Sequence, residues 1–160
     1  MKCPDCGWQN LAGADVCEHC STPLEPAAAP GGGLAGRLAC KVAKLKTRKA
    51  LLLAPDAAVA ESVRRMRKAK ASCALVTRDG ELVGILTEHG LLQRFVGLRD
   101  PQKTQVCEVM ETDPILLDGG DSVAYAFHQL SLGGYRHLAI RLPGGSLGTV
   151  SAQDLVETLV

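Results

Sequence analysis

The sequence predicts an α+β fold. Two copies of one β-α-β-β-α unit, related by a pseudo-two-fold axis, follow a small metal-bound knuckle on a flexible linker. Three observations carry this reading. Apolar residues recur between two halves of residues 41–160 at a constant offset. Within each half the apolar pattern alternates between short continuous runs and helical spacing. Four of the seven cysteines fall in two C-x-x-C pairs within the first twenty residues.

The repeat comes first, because a missed repeat misassigns the whole fold. Leu52 and Leu53 fall on Leu116 and Leu117, and Val59 and Ala60 on Val123 and Ala124. Val63 and Met66 fall on Phe127 and Leu130, Gly80 and Gly84 on Gly144 and Gly148, and Leu91 and Leu92 on Leu155 and Val156, without a gap. Each half opens with a short apolar strand (51–53; 115–117). An amphipathic helix follows, marked by Val59, Val63 and Met66 in one half and Val123, Phe127 and Leu130 in the other. Asp121 is the expected N-cap of the second of these helices. A strand hairpin comes next (73–77 and 81–86; 137–141 and 147–150), with turns at Arg78-Asp79-Gly80 and Pro143-Gly144-Gly145. A closing helix ends each half (88–96; 152–159). One such unit buries too little surface to stand comfortably alone, so the two are expected to pack sheet against sheet.

At the N-terminus, Cys3-Pro-Asp-Cys6 is followed by ten residues and then Cys17-Glu-His-Cys20. A C-x-x-C turn aims two sulfurs at one ion, and two such turns complete a tetrahedral S₄ site. Gly7 can take the left-handed conformation such a turn often uses. So few apolar residues cannot make a core, so the metal holds this fold. All four positions are protein sulfur, which makes the role structural. Zinc is the expected metal and iron the alternative. A redox C-x-x-C needs a βαβ setting that is missing here, and His19 reads as a bystander. The segment resembles the short zinc ribbons found at the start or end of many prokaryotic proteins. The expected organisation is 1–24 zinc ribbon, 25–40 flexible linker (LEPAAAPGGGLAG spans residues 24–36), 41–103 first repeat and 104–160 second repeat.

Composition excludes several classes. Hydrophobic residues at 46% and charged residues at 22% are ordinary for a globular chain, not a disordered one. No run of 18 apolar residues exists, so no membrane is an expected partner. The opening MKCPDCGWQN has no apolar signal core, so a cytoplasmic location is expected. Aromatics at 3% are too few for single-strand recognition by base stacking. The net charge of +1 hides a belt: residues 37–70 carry eleven Lys or Arg against Asp56 and Glu61. Such a belt is most often a solvated helix face. Its alternatives are contacts to a ligand's phosphates or to nucleic acid. Cys73 and Cys107 read as small core fillers, and Met66, Phe95 and Phe127 as core. His89 and His128 read as surface. No Ser-His-Asp or Cys-His arrangement, phosphate-cradling glycine loop or open metal site is legible, so catalysis is not expected.

Residues 74–92 (ALVTRDGELVGILTEHGLL), 135–140 (YRHLAI), 148–155 (GTVSAQDL) and the opening 108–114 (EVMETDP) of the second repeat are similar to the CBS-domain family, as a tandem pair or Bateman module. The resemblance covers about three quarters of the chain. It implies a non-catalytic regulatory sensor that binds an adenine nucleotide of the AMP, ADP or ATP class between the repeats. It also implies a homodimer formed through the CBS helices. The zinc ribbon is expected to dock on an unidentified protein or, as the alternative function, to bind nucleic acid together with the belt 37–70. The family's ribose signature, Gly-x-x-Thr/Ser-x-x-Asp, is matched by Gly148, Ser151 and Asp154. An ionised carboxylate suits two hydroxyl donors. Arg136 stands where the family carries a phosphate-facing cation, and a guanidinium fork suits that contact. His137 is next to it, though strand alternation would turn it to the opposite side. The first repeat keeps Thr87 but has Gly90 at the aspartate position and Ser72 at the cation position. One working site is therefore expected, with Ala50, Ala71 and Ser72 of the first repeat flanking the adenine.

Overall fold

The computed structural model describes residues 2–3, 5–11, 14, 16–22, 24, 33–45, 47–95, 97 and 99–159. Most of the expected linker, 25–32, lies outside the described residues. The end of that stretch is not linker, however: Leu34–Ala39 form a helix, α1. Its Arg37 guanidinium donates to the Leu159 carbonyl at 2.6 Å, which ties the start of the module to its end.

The first repeat runs β1 (Arg48–Lys49), β2 (Leu52–Leu53), α2 (Val59–Ala69), β3 (Cys73–Arg78), β4 (Glu81–Thr87) and α3 (Glu88–Arg94). The second runs β5 (Glu111–Thr112), β6 (Leu116–Asp118), α4 (Val123–Gly133), β7 (His137–Arg141), β8 (Leu147–Ser151) and α5 (Ala152–Glu157). Single 3₁₀ turns, Val42–Lys44 and Val106–Glu108, precede β1 and β5. The α2 sequence explains its helix. Val59, Ser62 and Met66 are buried at helical spacing, Glu61 sits in the first turn and Arg67 and Lys68 in the last, each sign facing the favourable end of the helix dipole. For α4 the cap is Ser122, not the expected Asp121. The Ser122 hydroxyl accepts from the Tyr125 N–H at 3.1 Å, while Asp121 accepts from Asp118 N–H at 2.8 Å and closes the turn before it.

The strands form two four-stranded sheets, β2-β3-β4-β5 and β1-β8-β7-β6. In each, a parallel pair and an antiparallel hairpin come from one repeat, and the outermost strand is lent by the other. Glu111 and Thr112 pair with Ile85 and Gly84, while Arg48 and Lys49 pair with Thr149 and Gly148. The cores cross in the same way. Val42 is buried with Leu117, Val123, Leu138 and Leu155 of the second repeat, and Val106 with Leu53, Val59, Met66 and Leu86 of the first. Along β3, Ala74 and Val76 face the helices while Cys73 and Leu75 face the other sheet, packing with Ile85 of their own sheet and Ala139 of the opposite one. That alternation is the period-2 rule, and it lets two half-sized units share one interior. Cys107, expected as a core filler, is exposed. No helix among the described residues is long and apolar enough to cross a membrane.

Candidate functional site

The sheet ends and helix starts of the two repeats enclose a cavity of about 730 Å³. It falls within the size range of small-molecule sites. From the second repeat it takes Arg136, His137, Ser151 and Asp154, and from the first Ala50, Ala71 and Ser72. Seven of the eight sequence-selected ligand residues therefore meet in one place. The eighth, Thr87, does not. It caps α3 by accepting from Gly90 N–H at 2.9 Å and lines a different, smaller cavity.

Asp154 is set by the start of α5. Its Oδ2 accepts from the Ser151 N–H at 2.8 Å and the Ser151 hydroxyl at 2.6 Å, and its own N–H donates to Ser151 Oγ at 3.2 Å. This reciprocal cap fixes the carboxylate at the cavity wall. Among the described residues no hydrogen bond reaches Oδ1, which leaves that oxygen free to accept from a bound molecule.

His137 sits where the two repeats touch. Its Nε2 lies 2.8 Å from the Ser72 hydroxyl, and its Nδ1 is buried with no partner among the described residues. Burial pushes its pKa below the ordinary value; nearby Glu88 and Asp154 pull it up and Arg136 pushes it down. The tautomer that leaves only a lone pair unpartnered is the cheaper one, so Nε2–H donates to Ser72. Alternation had put His137 and Arg136 on opposite sides. Arg136 precedes β7, so strand geometry does not bind it, and both residues line the cavity. Beneath them the Cys73 thiol is pushed up to about 11 by burial, with a Thr149 hydrogen bond opposing. It is inert wall rather than nucleophile.

Sequence reasoning missed Arg48, Lys49, Lys70, Gln153 and Glu157, which also line this cavity. Arg48 and Lys49 arrive through the lent strand β1, which no local pattern announces. The basic belt is thus divided. Arg48, Lys49 and Lys70 line the cavity, while Arg64, Arg67 and Lys68 are exposed on α2 away from it. Arg65 folds back to donate to the Leu52 carbonyl at 2.8 Å.

The pseudo-symmetric cleft is not a second copy of this one. It is broken into cavities of about 260 and 240 Å³, both lined by Tyr135, the counterpart of Ala71. The Tyr135 ring lies against Gly133, where a Cβ would collide with it. Glu111 lines both halves, and no aspartate stands at the Gly90 position.

The four N-terminal thiols converge. Their sulfurs all lie within 4.8 Å of one another, and Cys3–Cys20 and Cys6–Cys17 are each 3.6 Å apart. A Zn–S bond of about 2.3 Å implies a tetrahedral S···S edge of about 3.8 Å, so the set fits a metal of that size. The two knuckles curl alike. Gly7 N–H donates to Cys3 O at 3.1 Å and Ser21 N–H to Cys17 O at 2.8 Å, with Gly7 (φ +74°) and Ser21 (φ +58°) left-handed. Buried Asn10 joins them, accepting from Glu18 N–H at 3.0 Å and donating to Cys17 Sγ at 3.5 Å. Burial pushes the Cys17 thiol up, but hydrogen bonds from the Cys20 and His19 backbone and from Asn10 outweigh it and bring it down to about 6. Its neighbour Cys6 moves the other way: a Trp8 backbone hydrogen bond pulls it down, but burial and the adjoining thiols outweigh that and push it up to about 12, so the four sulfurs titrate as one cluster.

Residues 42–97 match the family model of the CBS domain. A crystallised CBS domain 28% identical in sequence aligns over 68% of this chain and 85% of its own, with a TM-score of 0.63. A conserved CBS domain protein of unknown function from Thermoplasma acidophilum is 22% identical over 76% of this chain and 70% of its own, at a TM-score of 0.68. A CBS domain protein from Pyrobaculum aerophilum, complexed with AMP, is 19% identical over 75% and 98%, at 0.65. No curated protein matches the chain. Residues 42–97 are thus similar to the CBS domain, and the two-sheet α+β architecture is shared with these CBS-domain structures.

Proposed function

We propose that the chain is a tandem CBS pair acting as a non-catalytic regulatory sensor, which binds an adenine nucleotide of the AMP, ADP or ATP class between its repeats. One observation carries this: a single cavity brings a capped carboxylate (Asp154), a guanidinium (Arg136) and small first-repeat residues (Ala50, Ala71, Ser72) around a nucleotide-sized space. Ribose hydroxyls would donate to Asp154, phosphate would face Arg136, and the adenine would lie against the 50 and 71–72 backbone. The AMP in the Pyrobaculum aerophilum neighbour supports the ligand class. A ligand that touches both repeats can bias their relative arrangement if it binds one arrangement more tightly than another. In this reading the protein is a homodimer through its CBS helices, and the knuckle carries zinc and docks on a protein partner. Isothermal titration of the zinc-loaded protein with AMP, ADP and ATP tests the sensor. Binding by at least one is expected, and the absence of heat with all three would remove the idea.

A further inference from the structure

We propose that Lys70 is a clamp for the distal phosphates of the nucleotide and that, with Arg48, Lys49 and Arg136, it makes the cleft prefer nucleoside di- and triphosphates over the monophosphate. The inference rests on the sensor reading above and names the ligand subclass of the same site.

The first observation is conformational. Lys70 ends α2 in the left-handed region, at φ +50° and ψ +40°. Its N–H donates to Arg67 O at 3.1 Å and the Ala71 N–H to Met66 O at 3.0 Å, the usual glycine-type helix ending. One repeat later the same position is Gly134, at φ +63°. Among the described residues, the other left-handed ones that are not glycine are Ser21, Asp79 and Asp113, short polar side chains. Aspartate tolerates this region far better than a long aliphatic stem does. A lysine there gains nothing from its backbone position, so its side chain is what the position supplies. Lys70 stands at the cavity wall, exposed, with its long side chain within reach of the space.

The second observation is an internal control. Among the described residues, four cations line the cavity: Arg48, Lys49, Lys70 and Arg136. Their counterparts across the repeat are Thr112, Asp113, Gly134 and Ser72. The fold therefore requires none of the four. They face two carboxylates, Asp154 and Glu157, and His137 stands neutral between the repeats. Asp154 already shares its Oδ2 with Ser151. The surplus is positive, and each phosphate added to a nucleoside adds negative charge that a charge-assisted contact can use.

The test is titration of AMP, ADP and ATP into the zinc-loaded full chain and its Lys70→Gly variant, in magnesium-free buffer at about physiological ionic strength. Glycine accepts the left-handed conformation without strain, so the variant should melt at the same temperature or higher. Lys70→Asn, tolerant of the same region, serves if glycine loosens the helix end. Wild type should bind ATP and ADP more tightly than AMP. Either substitution should weaken ATP roughly 3- to 30-fold and leave AMP within about twofold. Equal wild-type affinities for AMP and ATP, or a loss shared equally by both in the variants, would overturn the clamp while leaving the sensor reading standing. Failure of all three nucleotides to bind wild type overturns both.

Discussion

Asp154→Ala separates the two things the Asp154 carboxylate does. In the free protein it closes the cap of α5, accepting from Ser151 N–H and Oγ at 2.8 and 2.6 Å. Truncation leaves those two donors without their acceptor. The loss of such a cap is worth about 1 kcal/mol, or a fall in melting temperature of about 2–4 °C for a chain of this size. In the complex the unpaired Oδ1 is the expected acceptor for ribose. A hydrogen bond to a charged group is worth about 1.5–3 kcal/mol, which is roughly 10- to 150-fold in affinity. Thr87→Ala is the matched control. Thr87 caps α3 through Gly90 N–H at 2.9 Å but stands outside the main cavity, so it should cost similar stability and leave nucleotide affinity unchanged. Calorimetric titration and thermal melts on the three proteins decide the matter. If Asp154→Ala melts lower yet binds nucleotide within twofold of wild type, the residue is a helix cap and nothing more.

Native mass spectrometry should find one zinc per chain. Chelation or Cys17→Ser should unfold the knuckle while circular dichroism of the two four-stranded sheets persists; loss of the sheets with the metal would contradict the separate roles argued above. The depressed pKa of His137 means that its stabilising contribution is complete above its ordinary value near 6.5 and is lost as pH falls from there through the folded-state pKa. The melting temperature of wild type should thus drop more between pH 7 and 5 than that of His137→Gln, and parallel curves would count against it. The lent strands are tested at two glycines. A Cβ on Gly84 would strike Met110 Sδ and lie 2.9 Å from Glu111 O, where β5 pairs with β4, whereas one on Gly148 meets Leu142 Cδ1 at 3.1 Å and Arg48 O at 3.3 Å. Gly84→Ala should cost about 1–3 kcal/mol in denaturant melts and Gly148→Ala less, and the reverse order would argue against the exchanged pairing.

Most of the element pattern was legible, because it is local. Helix periodicity at Val59, Val63 and Met66, the two hairpin turns and the constant offset between halves place every main element within a residue or two. The cysteine spacing announced the convergence of four thiols for the same reason, since a C-x-x-C turn makes its geometry alone. The errors are instructive where short-range competition decided the outcome. Ser122 rather than Asp121 took the N-cap, and 34–39, rich in Gly and Ala, became a helix by packing on α4.

What the chain by itself determined, then, is two similar units, their internal order and four thiols poised to meet. Where those units open to a ligand was decided only on folding. Strands β1 and β5 are two residues each, too short to carry a pattern, and they pair across the repeats because each sheet has an open edge facing the other unit's first strand. That exchange carries Arg48 and Lys49 to the wall that Asp154 occupies, and it leaves Tyr135 dividing the opposite cleft. Arg48 pairs with Thr149, about a hundred residues away, and such pairing leaves no trace in either segment; the delivery of Arg48 and Lys49 therefore belongs to the assembled structure, whereas the missing aspartate and cation of the opposite cleft, at Gly90 and Ser72, stood in the sequence.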